Sequence, residues 1–277
     1  MKSLLQRVGH KRVLPLLIIP LLALEVSAQE HNLTLGGFYS KGDYDQEEDT
    51  RLFYVPLSYD YTRNNWRFKA TVPHLRITGT GNVLVNTGGV GRNDDVTETG
   101  VAEQTVSASG VGDILLGVSY QFPALFDKGP YLDVTAEIKL PTADEKKGLG
   151  TGEYDYGLQL DAYQLLGQTT LFATLGYRKR GDSDLFAELE DTVWGSLGLQ
   201  RPLASSWVSA NIPGQLSIGL IYDYREAASI SSNETHELVP FLSWSPLPRW
   251  SFMTYIIEGF TSDSADRAAG VQLNYRW

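Results

Sequence analysis

Ala268-Ala269-Gly270-Val271-Gln272-Leu273-Asn274-Tyr275-Arg276-Trp277 closes the chain, and its reading decides the fold. Val271, Leu273, Tyr275 and Trp277 alternate with Gly270, Gln272, Asn274 and Arg276. Successive side chains of a strand point to opposite faces, so this strand has one apolar and one polar face. An apolar, aromatic, unpaired strand at a chain end is an aggregation hazard in water. The hazard disappears if the apolar face meets lipid and the free edge pairs with the first strand of a closed barrel. A strand that simply ends a soluble β-sandwich is the competing reading of this element taken alone.

The other end of the chain bears on the choice. Lys2, Arg7, Lys11 and Arg12 form a basic region, Val13 to Leu24 is almost wholly apolar, and Val26-Ser27-Ala28 supplies small residues. This is the pattern of a cleaved signal peptide over residues 1–28. Its apolar core is short of the roughly 20 residues that a spanning helix needs. The mature chain expected from this cleavage is residues 29–277. Removing Lys2, Arg7, Lys11, Arg12 and Glu25 from 23 bases and 33 acids leaves 19 against 32, formally −13. So acidic a chain is not a nucleic-acid binder. There are no cysteines, so no disulfides form. No later stretch approaches 18 continuous apolar residues, which leaves a barrel as the only membrane-spanning option.

Helical periodicity is nearly absent after Gln29. Alternating segments recur instead and predict strands near 33–41, 51–62, 65–76, 111–122, 130–140, 154–164, 168–180, 191–201, 214–225, 236–245, 249–260 and 268–277. These make about twelve strands, and an even count keeps both termini of an up-and-down antiparallel barrel on one side of the membrane. Every second connection is then a periplasmic turn: Thr62–Asn65, Pro123–Gly129, Leu165–Gly167, Pro202–Pro213 and Ser245–Arg249. The alternate set, 42–50, 77–110, 141–153, 181–190, 226–235 and 261–267, is longer and more polar, as outer loops are. Trp66, Trp207, Trp244, Trp250 and Trp277 fall at predicted periplasmic ends, and only Trp194 does not. Amphipathic aromatics favour the lipid–water interface, so these read as a girdle. Tyr154, Tyr156, Tyr177, Tyr222 and Tyr224 mark the outer one.

Strand by strand, one face is apolar and the other carries charge. Leu132, Val134, Ala136, Ile138 and Leu140 oppose Tyr131, Asp133, Thr135, Glu137 and Lys139. Charges in a dry core cost several kcal/mol each unless paired, whereas a hydrated lumen accepts them. The expected lumen lining is Asp60, Arg67, Lys69, Asp113, Asp133, Glu137, Lys139, Asp155, Asp161, Arg178, Arg180, Asp223, Arg225, Glu237, Glu258 and Arg276. Two readings stay open. Either acids and bases pair and fill a narrow barrel, or they line opposite walls and set a transverse field across an open one. Tyr54, Tyr131, Tyr163, Phe172, Trp194 and Phe241 are the inward aromatics and offer a track for an aromatic solute. Loop 77–110 is long enough to constrict the outer mouth.

The ending at Tyr275 and Trp277 resembles the C-terminal signature that the barrel assembly machinery reads in bacterial outer-membrane β-barrels. Three internal segments carry a narrower resemblance: GVGDILLGVSYQF (Gly110–Phe122), LPTADEKKGLGTGEYDYG (Leu140–Gly157) and LGYRKRGD (Leu175–Asp182). They resemble the outer-membrane family associated with the meta-pathway of phenol degradation. The likeness is good over 105–277 and weaker over 29–104. It implies an outer-membrane barrel that passes small, often aromatic compounds, and it supplies no catalytic residue.

Other chemistry finds little support. The run Gly148-Leu149-Gly150-Thr151-Gly152 is followed by no helix, so it is not a phosphate loop. No His/Asp/Glu spacing matches a transition-metal site, and no cofactor is expected. His31, His74 and His236 are the mature histidines, and Ser231 and Ser232 lie near His236. A hydrolase requires a nucleophile and base at one level, which the sequence does not display. The expectation is a non-enzymatic outer-membrane channel. A closed structural or adhesive barrel and a lipid hydrolase are the alternatives. Expected partners are outer-membrane lipid and lipopolysaccharide, the assembly machinery and an unidentified small solute. Acidic outer loops offer calcium sites bridging to lipopolysaccharide.

Overall fold

The computed structural model describes residues 29–42, 49–79, 83–86, 89–92, 106–124, 126, 129–183, 189–204, 212–229 and 232–277. The strands are β1 (Gln29–Gly42), β2 (Thr50–Arg63), β3 (Trp66–Gly79), β4 (Val83–Asn86), β5 (Gly89–Arg92), β6 (Val106–Val111), β7 (Ile114–Gln121), β8 (Tyr131–Leu140), β9 (Asp155–Leu166), β10 (Thr169–Lys179), β11 (Thr192–Pro202), β12 (Gln215–Arg225), β13 (Thr235–Leu247), β14 (Trp250–Gly259) and β15 (Arg267–Arg276). Neighbours in sequence pair antiparallel, and β1 pairs with β15 from Asn32↔Arg276 to Lys41↔Arg267. The sheet is therefore closed, with only the short β6 at the loop end paired on one side, and closure is the way a sheet satisfies its backbone in lipid. The terminal decapeptide is the strand that closes it.

The barrel has twelve staves. One of them is interrupted: β6 and β7 are collinear halves, both paired with β3. The break falls at Gly112-Asp113 opposite Pro73, where the Gly112 N–H donates to the Pro73 carbonyl (2.9 Å). Proline lacks a ladder donor and is tolerated where pairing is irregular. β3 and β6 pair up to Gly79↔Val106, so the wall rises higher here than the predicted ends at 76 and 111. Inside the connection expected as loop 77–110, β4 and β5 form a separate hairpin. The rest of that connection, the acidic run near 45–48, Trp207, Ser231 and the expected signal peptide lie outside the described residues. The short connections and both strand termini share one end, the turn end; the longer connections are at the other, the loop end.

Alternation assigns the faces. On β9, Asp155 and Asp161 are buried while Tyr156, Leu158 and Leu160 are exposed. Many large apolar side chains are similarly exposed, including Leu35, Phe53, Leu57, Phe68, Leu175, Leu197 and Val271. Apolar surface of this extent is unstable against water and is expected against acyl chains. The turn end carries the aromatic contacts expected of a girdle: Trp66 with Tyr120 (4.9 Å), Trp250 with Tyr275 (4.6 Å), and Tyr275 with Trp277 (5.5 Å). The small buried apolar cluster lies inside the barrel near the loop end. It joins Leu52, Leu75, Ile77 and Ala268 of the wall to Leu149 and Ala265 of two loops.

Candidate functional site

The predicted lumen residues share the inward-facing set of their strands, with one exception. Glu258 is exposed on β14 beside Thr254 and Ile256, while Tyr255 and Ile257 take the alternate, more buried positions. Its assignment to the lumen is corrected: it belongs to the outward face. The sequence is ambiguous there because Ile256 and Ile257 make both faces of β14 apolar. Asp60, Asp133, Lys139, Asp155, Asp161, Arg178, Arg180 and Glu237 are buried, and Arg67, Asp113, Glu137, Asp223 and Arg225 are half-buried. Lys69 and Arg276 are exposed nearer the turn end.

Acids and bases are neighbours, not opposed walls. Arg178 donates to Glu137 (3.0 Å), Arg225 to Asp223 (2.8 Å) and Arg67 to Asp133 (3.5 Å). Arg276 pairs with Glu30 at the turn end (3.3 Å). Asp161 accepts from Thr174 (2.6 Å) and Gln159 (2.8 Å). Local pairing offsets desolvation only where geometry and extra hydrogen bonds are good, which the Arg178–Glu137 and Arg225–Asp223 contacts and the bonds to Asp161 provide.

The tightest group unites the three segments that carry the family resemblance. Lys139 Nζ lies 3.0 Å from Asp155, 3.4 Å from Asp113 and 2.7 Å from Thr151 Oγ1. Asp113 also accepts from the backbone N–H groups of Thr142 and Ala143 (3.0 Å each). Ser183 donates to the Thr151 carbonyl (2.6 Å), and Gly181 N–H donates to Asp155 (3.3 Å). One lysine thus ties the broken stave, the 141–154 loop and the end of β10 together. The loop turns through a short 3-10 segment, Glu145–Lys147, and Gly148 ends it with φ 68°, a conformation open to glycine at little cost. Outside the membrane span, a hydrogen bond from Lys147 holds the Asp144 carboxyl below its ordinary range. The result of this folding is that Leu149 is carried inside the mouth and is only 4% exposed. A lone leucine between glycines was the one sequence signal of this, and patterning cannot read it.

Four of the inward aromatic residues line a different sector, while Tyr131, Tyr163, Phe172 and Trp194 stand on β8 to β11 among the charges. One register row runs Gly219↔Phe241↔Tyr255↔Gly270↔Phe38↔Tyr54↔Leu75 across β12, β13, β14, β15, β1, β2 and β3. A Cβ on Gly219 would overlap the Phe241 ring, and one on Gly270 the Tyr255 ring. The same relation holds for Gly198 under Phe172 and Gly176 under Trp194. Each ring therefore lies flat across a neighbouring strand and does not project inward. Covering a glycine in this way restores packing that a bare strand position lacks. Sequence reading identified Tyr54, Phe172, Trp194 and Phe241 as inward but missed Phe38 and Tyr255. It also missed that cross-strand glycines lay Phe172, Trp194, Phe241 and Tyr255 down. Tyr131 and Tyr163 are more exposed, towards the turn end. That half is lined chiefly by short polar groups, such as Thr34, Ser58, Thr71, Ser119, Thr135 and Ser217.

The histidines do not assemble a catalytic set. His236 bonds Tyr222 Oη (2.6 Å), and His31 bonds Tyr59 Oη (2.7 Å) and stacks on Trp277. His74 Nε2 lies 3.2 Å from Ser109 Oγ on the adjacent strand, facing outward. No third group orients His74 among the described residues, and a triad needs one to hold the tautomer.

Comparison with known proteins adds a family match. The family described as "Putative MetA-pathway of phenol degradation" matches residues 34–277. Comparison with curated proteins finds no match. Among solved structures, the NanC porin aligns with a TM-score of 0.50 at 8% identity, covering 87% of this chain and 97% of that one. The translocator domain of the autotransporter NalP from Neisseria meningitidis gives 0.49 at 11% identity, covering 92% and 91%. The CymD monoaromatic hydrocarbon channel gives 0.41 at 13% identity, covering 90% and 88%. At these identities the NanC likeness speaks for the fold, and the fold is that of an outer-membrane β-barrel.

Proposed function

This chain belongs to the MetA-pathway phenol-degradation family of barrels, and from that premise we propose that it is a passive outer-membrane channel for small amphipathic solutes, aromatic ones included. The observation that carries the reading is the division of the inner wall. Phe38, Tyr54, Phe241 and Tyr255, the last two laid flat, form one sector, and the paired charges of β7 to β12, with Phe172 and Trp194 among them, form another. A ring laid against the wall offers a stacking face while leaving the bore free. The paired charges opposite offer hydrogen-bond partners to a polar substituent. In this reading the inward charges named from sequence, Glu258 excepted, line the path, and loop 141–154 narrows its outer mouth through Leu149. Residues 1–28 direct export, and the assembly machinery reads Tyr275 and Trp277. The contact with outer-membrane lipid supports lipopolysaccharide as the partner on the outside.

The test is conductance in planar bilayers together with swelling of liposomes. Wild-type protein should conduct, and benzoate-sized aromatic acids should block or permeate more strongly than aliphatic acids of equal charge. Tyr255→Ala with Phe241→Ala should lower that preference about tenfold, the scale of two lost stacking contacts. No conductance from fully folded protein would favour the closed structural barrel instead. For the hydrolase alternative, phospholipid and lipid A turnover should stay at background for wild type and for His74→Ala and His236→Ala alike. Turnover abolished by either substitution would establish an enzyme.

A further inference from the structure

Basic side chains gather on the outward face of one sector at the loop end. Arg267 of β15 is the register partner of Lys41 of β1, and Lys41 is the partner of Arg51 of β2. Arg76 of β3 is the partner of Phe53, one outward position below Arg51. All four are exposed and share the face of Tyr39, Phe53, Leu57 and Val271. Like charges directly across a strand pair repel, so three successive strands with cations in one row call for an anion. Lys41 has Asp49 at 2.7 Å. Glu258 is opposite Arg267 but forms no ion pair with it, and among the described residues Arg51, Arg76 and Arg267 have no carboxylate partner. On the far side of the barrel the outward residues at this level are instead Tyr156, Tyr177 and Tyr222, with Lys179 the base among them.

The vertical order matches a lipid leaflet. Leu35 and Leu57 give way to Tyr39 and Phe53, and the next outward positions are Lys41 and Arg51. One step is about 7 Å along a strand. Aromatic side chains therefore stand at the boundary of the apolar belt, and cations stand one step beyond it. Guanidinium groups match phosphate through paired, charge-assisted hydrogen bonds.

We propose that Lys41, Arg51 and Arg267, with Arg76 below them, form a binding site for the phosphates of a phosphorylated glycolipid of the outer leaflet, the lipid A portion of lipopolysaccharide. Its acyl chains lie along Leu35, Leu57 and Val271. The site rests on outer-membrane placement alone and is independent of whether the lumen conducts.

The experiment measures binding of fluorescent bis-phosphorylated lipid A to the full folded barrel in neutral detergent with EDTA present. Wild type should bind it well above dephosphorylated lipid A. Lys41→Gln/Arg51→Gln/Arg267→Gln should bind about a hundredfold more weakly, at about fivefold per charge removed near an anionic head group. Arg63→Gln/Arg201→Gln, which removes outward bases at the turn end, should keep wild-type affinity. Arg51→Gln alone should lose about fivefold, which serves if the triple variant does not fold. Equal affinity for the two lipids, or full affinity in the folded triple variant or Arg51→Gln, overturns the proposal. So does binding that appears only when calcium is added, since that transfers recognition to the acidic loops.

Discussion

Lys139→Met is expected to destabilise the barrel by about 3–5 kcal/mol, the usual cost of removing one partner from a buried charge cluster. The reason is specific. Lys139 is 8% exposed and stands between Asp113 and Asp155, and without it two carboxylates remain close together with no cation between them. Thr151 also loses the ammonium donor that fastens the 141–154 loop. Two readouts should move together. The temperature at which the folded, fast-migrating band is lost should fall, and conductance should rise as Leu149 leaves the mouth. Adding Asp113→Asn and Asp155→Asn to Lys139→Met should restore most of the stability, because neutral partners remove the repulsion. An unchanged melting temperature in the single variant would show that the cluster carries no such weight. Lower stability with unchanged conductance would separate the cluster from the constriction and count against loop 141–154 as the narrow point.

Trp277→Asp is expected to reduce folded protein in the outer membrane by about tenfold or more. Trp277 closes the seam at the turn end. Its backbone exchanges hydrogen bonds with His31 in both directions (2.9 and 3.0 Å), and its ring stacks on His31 and Tyr275. A carboxylate at this level loses both ring contacts and places a charge on the lipid face, at a cost below about 1 kcal/mol near an interface. Under the proposed assembly role of the terminal strand, the larger loss comes from recognition of the unfolded chain. Trp277→Phe should therefore retain most of the folded protein. Normal abundance and normal heat-modifiable migration of Trp277→Asp would remove the terminal strand from its assembly role. If abundance falls but the purified, refolded variant melts normally, the defect lies in recognition and not in stability.

The sequence by itself determined the barrel. Alternation in Val271–Trp277 and along Asp133–Lys139 specifies faces, because the side-chain period of a strand is two and one slip would expose every charge to lipid. Aromatic placement specified the level of the membrane, as in Trp66, Trp250 and Trp277. What alternation could not supply was the identity of lateral neighbours. Register brings Gly219 under Phe241 and Gly270 under Tyr255, and so decides whether an inward ring fills the bore or lies along the wall. It likewise pairs acids with bases that lie far apart in the chain, as Arg67 with Asp133, which favours local pairing of the two arrangements the sequence left open. Where both faces of a strand are apolar, as at Ile256-Ile257, the period loses its meaning and Glu258 was assigned to the wrong side. Loops carry no period at all. The burial of Leu149 depends on Lys139, Asp113 and Thr151 meeting in space, and only the closed tertiary structure brings them together, because their contacts are long-range and their spacing in sequence has no physical rule behind it.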